Sequence, residues 1–224
     1  MTSVATLQPF ATARTRRQSR ALQGPSCAEG LYARVFEDIL EGQFTAGLSE
    51  DLLMQTYAAG RSEVRRVVSR LTHQRVIHAR PNQRARVTEP DAHQIRQVLQ
   101  ARRMAEIGII EQVSATTTEL TLESLRTIIV RERQSLEINR QSTTTRLGME
   151  FHLELARMGG NTPLIHFLEE LVPLTGLALM QHTSRTEDWR IREAIVNAME
   201  NGNAFAATVQ MTAYLDRLAT LHWS

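Results

Sequence analysis

The stretch from Leu48 to Val87 constrains the fold of this chain more than any other. It opens on a short apolar-patterned segment behind Ser49, a residue suited to cap a helix N-terminus, with Leu52 and Leu53 turned inward. Ala58-Ala59-Gly60 makes a turn, and a second periodic segment follows with Val64, Val67, Val68 and Leu71 on one face and Arg61, Arg65 and Arg66 free of it. Two β-prone pieces, 75–80 and 84–88, then flank Pro81-Asn82-Gln83. Upstream, Leu31, Val35, Phe36, Ile39 and Leu40 recur at helical spacing and stop at Gly42. Three helices closed by a two-stranded tip spell a winged helix-turn-helix over 29–89, and that order puts double-stranded DNA first among partners.

Such a fold sends the first turns of its third helix into the major groove, where side chains meet base edges. Arg61 and Arg65 lie four residues apart and share a face, so they are the candidates for bidentate contact with bases. Gly60, Ser62 and Arg66 complete the candidate surface, and Arg84 and Arg86 on the wing suit the minor groove or phosphates. An Arg-rich helix face taken alone is more often simply solvated; its setting reverses that reading.

Composition excludes more than it selects. The formal charge is +2 with a pI near 9.2, and every basic residue is Arg, a pattern that a GC-rich genome also produces. The single cysteine, Cys27, cannot form an internal disulfide and fits a reducing cytoplasm. No apolar run is long enough to span a membrane, and no signal-peptide core opens the chain. At 5% aromatic residues, stacking platforms for single-stranded nucleic acid are out of reach. No nucleophile elbow, phosphate loop or catalytic carboxylate pair stands out, so an enzyme is not expected. Residues 1–28, rich in Thr, Ser, Gln, Ala and Arg, read as a disordered basic tail.

From Asp91 onward the pattern is helix after helix, near 91–113, 120–140, 143–159, 162–182, 186–201 and 203–221. Breaks fall at Thr116-Thr117-Thr118, Gly159-Gly160-Asn161 and Gly202. The expected fold class is therefore mainly α: the winged helix-turn-helix, with three helices and a small β wing, followed over 90–224 by an all-α bundle of about six helices.

Arg61-Ser62-Glu63-Val64-Arg65-Arg66-Val67-Val68, then Leu71, Val76-Ile77 and Asn82-Gln83-Arg84-Ala85-Arg86-Val87, resembles the DNA-binding domain of the GntR family of bacterial regulators. Departures are Gly60 where Ser or Thr is usual, Glu63 for Pro, Arg84 for the wing Gly, and Asp51 where some members carry a further Arg. The C-terminal part resembles the helical FCD domain of the FadR subfamily. That likeness rests on Arg102-x-x-x-Glu106, Phe151-His152 before Gly160-Asn161, and Ala194-Ile195, Ala198, Gly202-Asn203, Ala206-Ala207 and Met211 in order.

The resemblance implies a homodimeric, cytoplasmic transcription regulator on a palindromic operator, with repression relieved by a small organic acid as the family's usual mode. Many FCD domains hold a divalent metal through one Asp and three His. The resemblance places those positions at Gly148, His152, Arg192 and Tyr214, where one ligand of four survives and another has become a permanent cation. No metal and no cofactor is expected. Arg192 instead becomes a candidate fork for a carboxylate effector, with His152 and Tyr214 as hydrogen-bonding partners and Arg102 as a second cation. Other readings stay open. Arg192 could pair with Glu106 or Glu150 in a structural role, and His152 could be a satisfied core histidine. The bundle could take a long acyl ligand, or bind nothing in a DNA-binding protein of architectural role. The other histidines, at 73, 78, 93, 166, 182 and 222, show no ligand spacing.

Overall fold

The computed structural model describes residues 27–78, 83–116, 122–180 and 187–221. Residues 1–26 of the tail expected over 1–28, the wing tip at Pro81 and Asn82, and the break at Thr117-Thr118 lie outside the described residues. The first helix, α1 (Cys27–Leu40), begins at the cysteine that the sequence reading assigned to the tail. Leu31, Val35, Phe36, Ile39 and Leu40 line its buried face, and Gly42 leaves it at φ +75°. Ser49 caps α2 (Glu50–Tyr57) by accepting a hydrogen bond from the Leu52 amide at 3.2 Å, and Glu50 and Asp51 sit in its first turn, where the helix dipole favours them.

The turn into α3 (Arg61–His73) differs from the expected one in detail. Ala58, at φ +51°, takes the left-handed position, while Gly60 caps α3 in an extended conformation that any residue could adopt. Along α3, Val64, Val67 and Leu71 are buried and Val68 is only partly covered. The wing is short: β1 (Ile77–His78) pairs antiparallel with β2 (Arg86–Val87), placing Ile77 opposite Val87 and His78 opposite Arg86. A further bridge joins Leu48 to Ala85. Gly47, at φ +90°, makes that approach possible, because a Cβ there would come within 2.9 Å of the Ala85 carbonyl oxygen.

The remaining elements are α4 (Ala92–Thr116), α5 (Glu123–Glu137), α6 (Gln141–Gly159), α7 (Thr162–Leu179), α8 (Asp188–Glu200) and α9 (Ala204–Ala219). Their ends follow local chemistry. Gly160 closes α6 in the left-handed conformation, Asn161 caps α7 through the Leu164 amide, and Asn203 caps α9 through the Ala206 amide. The main packing pairs are α5 with α6, α4 with α9, α8 with α9, and α6 with α7. None of the described helices is long and apolar enough to cross a membrane.

Helix α6 is also where the head sits on the bundle. Arg146 Nε donates to Glu37 Oε1 of α1 at 2.6 Å, and Ser142 Oγ donates to Glu41 Oε1 at 2.6 Å. Arg75, just past α3, adds an ion pair of 2.9 Å to Glu170 of α7. The head–bundle junction thus fixes one face of α6, and the opposite face is left to line the bundle interior.

Candidate functional site

Two places gather the residues singled out by sequence. On the head, the exposed face of α3 presents Arg61, Ser62, Arg65 and Arg66, with Gly60 at its N-terminal end. Arg84 and Arg86 are exposed beside and within β2. The two base-reading candidates already have partners. Arg61 Nη2 lies 3.7 Å from Asp51 Oδ1, and Arg65 Nε donates to Glu50 Oε2 at 3.1 Å. Both carboxylates come from the first turn of α2. With side chains 58% and 62% exposed, these arginines hold their partners in water, where a DNA phosphate competes directly.

In the bundle, a cavity of about 50 Å³ is lined from every one of α4 to α9. Arg102, His152, Arg192 and Tyr214, widely separated in sequence, all face it, joined by Glu132, Gly148, Met149 and Gly176. Arg102 Nε donates to Glu106 Oε1 at 2.6 Å, and the other oxygen of Glu106 is 2.6 Å from His152 Nδ1. The His152 ring stacks on Tyr214 with centroids 5.3 Å apart, and the Arg192 guanidinium lies 5.2 Å from the Tyr214 ring centre. Arg192 pairs with neither Glu106 nor Glu150. Its Nη2 is 3.5 Å from Glu132 Oε1, because Arg102 and His152 engage Glu106 while Arg146 engages Glu150.

These contacts set the charge states. Burial alone would raise the Glu106 carboxyl, but the Arg102 guanidinium and His152 outweigh it and hold Glu106 at about 2. Burial depresses His152 to about 4 despite the attraction of Glu106, with Arg102 and Arg192 adding to the depression. The imidazole is therefore neutral near pH 7. Since ionised Glu106 can only accept, His152 Nδ1 carries the proton and Nε2 is left as an acceptor. Burial pushes Glu132 up, opposed by Arg192, and burial likewise pushes up the Tyr214 hydroxyl.

The positions of the family's metal ligands do not fit an ion here. A Cβ at Gly148 would fall 2.2 Å from Arg192 Nη2, so the guanidinium fills the space an aspartate would need. Glycine at 148 and arginine at 192 are thus one complementary change. Among the described residues no group of three or more His, Cys, Asp or Glu converges. What the cavity offers instead is a set of unpartnered polar atoms: Arg102 Nη2, Arg192 Nη1, His152 Nε2 and Glu132 Oε2 are buried and have no hydrogen-bond partner among the described residues.

Glu132 was the residue sequence reasoning missed. Flanked by Arg131 and Arg133, it reads as part of a solvated charge run. The signal was its register: Leu125, Ile128, Ile129, Glu132 and Ser135 form the buried stripe of α5. Met149 was also missed. It lines the cavity on one side and, on the other, a cleft of about 260 Å³ between head and bundle, where Tyr32, Phe36, Arg70, Arg146 and Pro173 also lie.

Comparison with known proteins matches this architecture twice over. The FCD domain family matches residues 97–217, more than half of the chain, and the family "bacterial regulatory proteins, gntR family" matches residues 27–87. The chain belongs to the FCD domain family and carries a gntR-family DNA-binding domain over 27–87. It is accordingly a DNA-binding transcription regulator with an effector-binding domain.

Solved structures with the same fold include E. coli McbR/YncC, at 16% identity and a TM-score of 0.67, covering 86% of this chain and 94% of that one. A GntR transcriptional regulator from Rhodococcus sp. RHA1 matches at 18% identity and a TM-score of 0.67, covering 87% and 96%. Streptococcus agalactiae GntR matches at 20% identity and a TM-score of 0.50, covering 87% and 100%. At these identities the likeness shows the fold alone. Among curated proteins none matches at the sequence level.

Proposed function

We propose that this GntR-family regulator is a cytoplasmic, homodimeric repressor of the FadR subfamily whose hold on a palindromic operator is loosened by a small organic acid bound without metal. Residues 29–89 would form the reading head and 90–224 the sensing and dimerising bundle. Arg61 and Arg65 would contact bases, with Gly60, Ser62, Arg66, Arg84 and Arg86 contributing the surrounding backbone and wing contacts. Arg102 and Arg192 would receive the acid, with His152 and Tyr214 beside them. Met104 and Phe205, exposed at 77% and 80% on the packed helices α4 and α9, are apolar surface of the kind a dimer covers.

The observation that carries the reading is the pair of buried guanidiniums with unpartnered N–H groups facing one cavity. An acyl-chain ligand fits poorly, since about 50 Å³ has no room for a long chain. A silent bundle fits poorly too, since leaving several buried polar atoms unpaired is costly and a pocket with no occupant would be better filled with apolar side chains.

The test is operator selection from genomic fragments by the full-length protein, followed by titration of the complex with small carboxylic acids in a chelator. Release by an acid supports the reading; indifference to every acid, or release only when metal is added, rejects it. Arg61→Ala should weaken the selected site by about 1–3 kcal/mol while changing random DNA less. Equal loss on both would make Arg61 a phosphate contact.

A further inference from the structure

We propose that the ligand of the bundle cavity is a small zwitterionic amino acid, its carboxylate received by Arg102 Nη2 and Arg192 Nη1 and its ammonium by Glu132 Oε2 and His152 Nε2. This rests on the reading of the cavity as the effector site and narrows the chemistry of what enters it.

The first argument is the polarity of the unpartnered atoms. All four belong to side chains at least nine-tenths buried that line the same cavity. Guanidinium nitrogens only donate, so Arg102 Nη2 and Arg192 Nη1 call for acceptors. Glu132 Oε2 is a carboxylate oxygen, and His152 Nε2 has its lone pair free because Nδ1–H is committed to Glu106. Both of these call for donors. A plain carboxylate has acceptors only; it would pair with the two arginines and leave Glu132 and His152 facing it unmet. A carboxylate joined to an ammonium brings acceptors and donors in one molecule.

The second argument is charge. Arg102 and Arg192 supply two positive charges to this buried cluster, and Glu106 and Glu132 supply two negative ones. Asp188, also on the lining, is neutralised by Arg217. The site is balanced before any ligand arrives. A simple acid anion would add an uncompensated negative charge to a low-dielectric interior, or would require Glu132 to take up a proton; a zwitterion adds none. The third argument is size. A cavity of about 50 Å³ holds a few water-sized groups, which limits the ligand to the scale of glycine or alanine.

The experiment is isothermal titration of the full-length, exhaustively dialysed protein with glycine, L-alanine, acetate, propionate, glycolate and L-leucine, each in two buffers of different ionisation enthalpy. Glycine or alanine should bind at least tenfold more tightly than acetate or propionate, without proton uptake, and leucine should be excluded. Glu132→Gln, which keeps the size of the side chain, strands Arg192 and lowers the melting temperature. Measured on folded protein below that lowered temperature, it should bring the amino acid and the plain acid to within about threefold of each other, while the ligand series on the parent protein tests the proposal without any variant.

Plain acids binding as well as amino acids, with a proton taken up, would overturn the zwitterion while leaving the organic-acid reading intact. Glycolate binding as tightly as glycine would overturn the need for an ammonium. Binding of none of these would overturn the zwitterion, and the organic-acid reading would fall with it only if the operator complex is also indifferent to every acid.

Discussion

Arg61 and Arg65 on the head and Arg102 and Arg192 in the bundle are the same side chain in opposite surroundings. The first two are 58% and 62% exposed and meet acidic residues at the surface; the second two are 1% and 5% exposed and are matched by buried carboxylates. An exposed ion pair is worth about 0–1 kcal/mol, so Glu50 and Asp51 can be traded for a phosphate or a guanine edge at little cost. A buried charge has no such freedom, because stranding it costs about 3–5 kcal/mol. The head uses arginine as a group that changes partners. The bundle uses it as a fixture, held in place in advance so that little ordering is left to be done when a ligand enters.

The comparison breaks hardest at the bundle pair. Arg102→Met strands Glu106 and should lower the free energy of unfolding by about 3–5 kcal/mol, read from urea titration, whereas Arg61→Met should stay within about 0.5 kcal/mol of the parent. Similar small losses at both would mean that burial does not distinguish the two sites.

Acid should expose the same contrast. His152 and Glu106 both have lowered values, about 4 and about 2, against ordinary values of 6.5 and 4.5. Each contributes stability that is complete above its ordinary value and is lost as pH falls toward its folded one. The melting temperature should therefore drop from pH 6.5 toward 4 as the unfolded imidazole takes a proton the folded one refuses, and drop further below 4.5. Glu132, pushed the other way, offsets part of this. His152→Gln should flatten the upper part of the profile, and a parent profile already flat from pH 7 to 5 would show that His152 titrates normally.

A smaller effect sharpens the steric side. Gly148→Ala should cost about 1–3 kcal/mol by pressing on Arg192, and most of that cost should vanish in an Arg192→Ala background; additive losses would mean that the two side chains do not meet. The smallest expected effect is on the head. Replacing Glu50 by Gln and Asp51 by Asn should tighten DNA binding by about 0–1 kcal/mol at low salt, and weaker binding would show that these acids position the arginines rather than compete for them.

Much of this was legible before any coordinates. Ser49 as a cap, the buried stripe of α3 and the breaks at Gly160 and Gly202 are local signals, and local signals survive folding. The four bundle positions Arg102, His152, Arg192 and Tyr214 could be named because the family resemblance supplied their register. Arg102 pairs with Glu106 four residues on in the same helix, a spacing visible in the quoted motif, whereas no local signal pointed to the partner of Arg192. Pairing across α5 and α8 is a tertiary fact, so Glu132 hid between two arginines and the choice among carboxylates for Arg192 fell on the wrong ones. The pairing of Arg61 with Asp51 and of Arg65 with Glu50 was hidden for the same reason, since it depends on the angle between α2 and α3. Ala58 in the left-handed position, with a glycine two residues on, is a case where the turn was placed correctly and its strained residue was not.

Helix α6 has a consequence for how such a protein can diversify. Ser142 and Arg146 hold the head, while Gly148 and His152 face the cavity and Met149 belongs to both sides. Retuning ligand choice from this helix therefore disturbs the resting grip on DNA as well. Arg192 and Tyr214 are carried by α8 and α9, yet Arg192 packs against Gly148 and Tyr214 stacks on His152, so changing the sensed molecule from there leaves the set-point of gene expression alone only if α6 keeps its place.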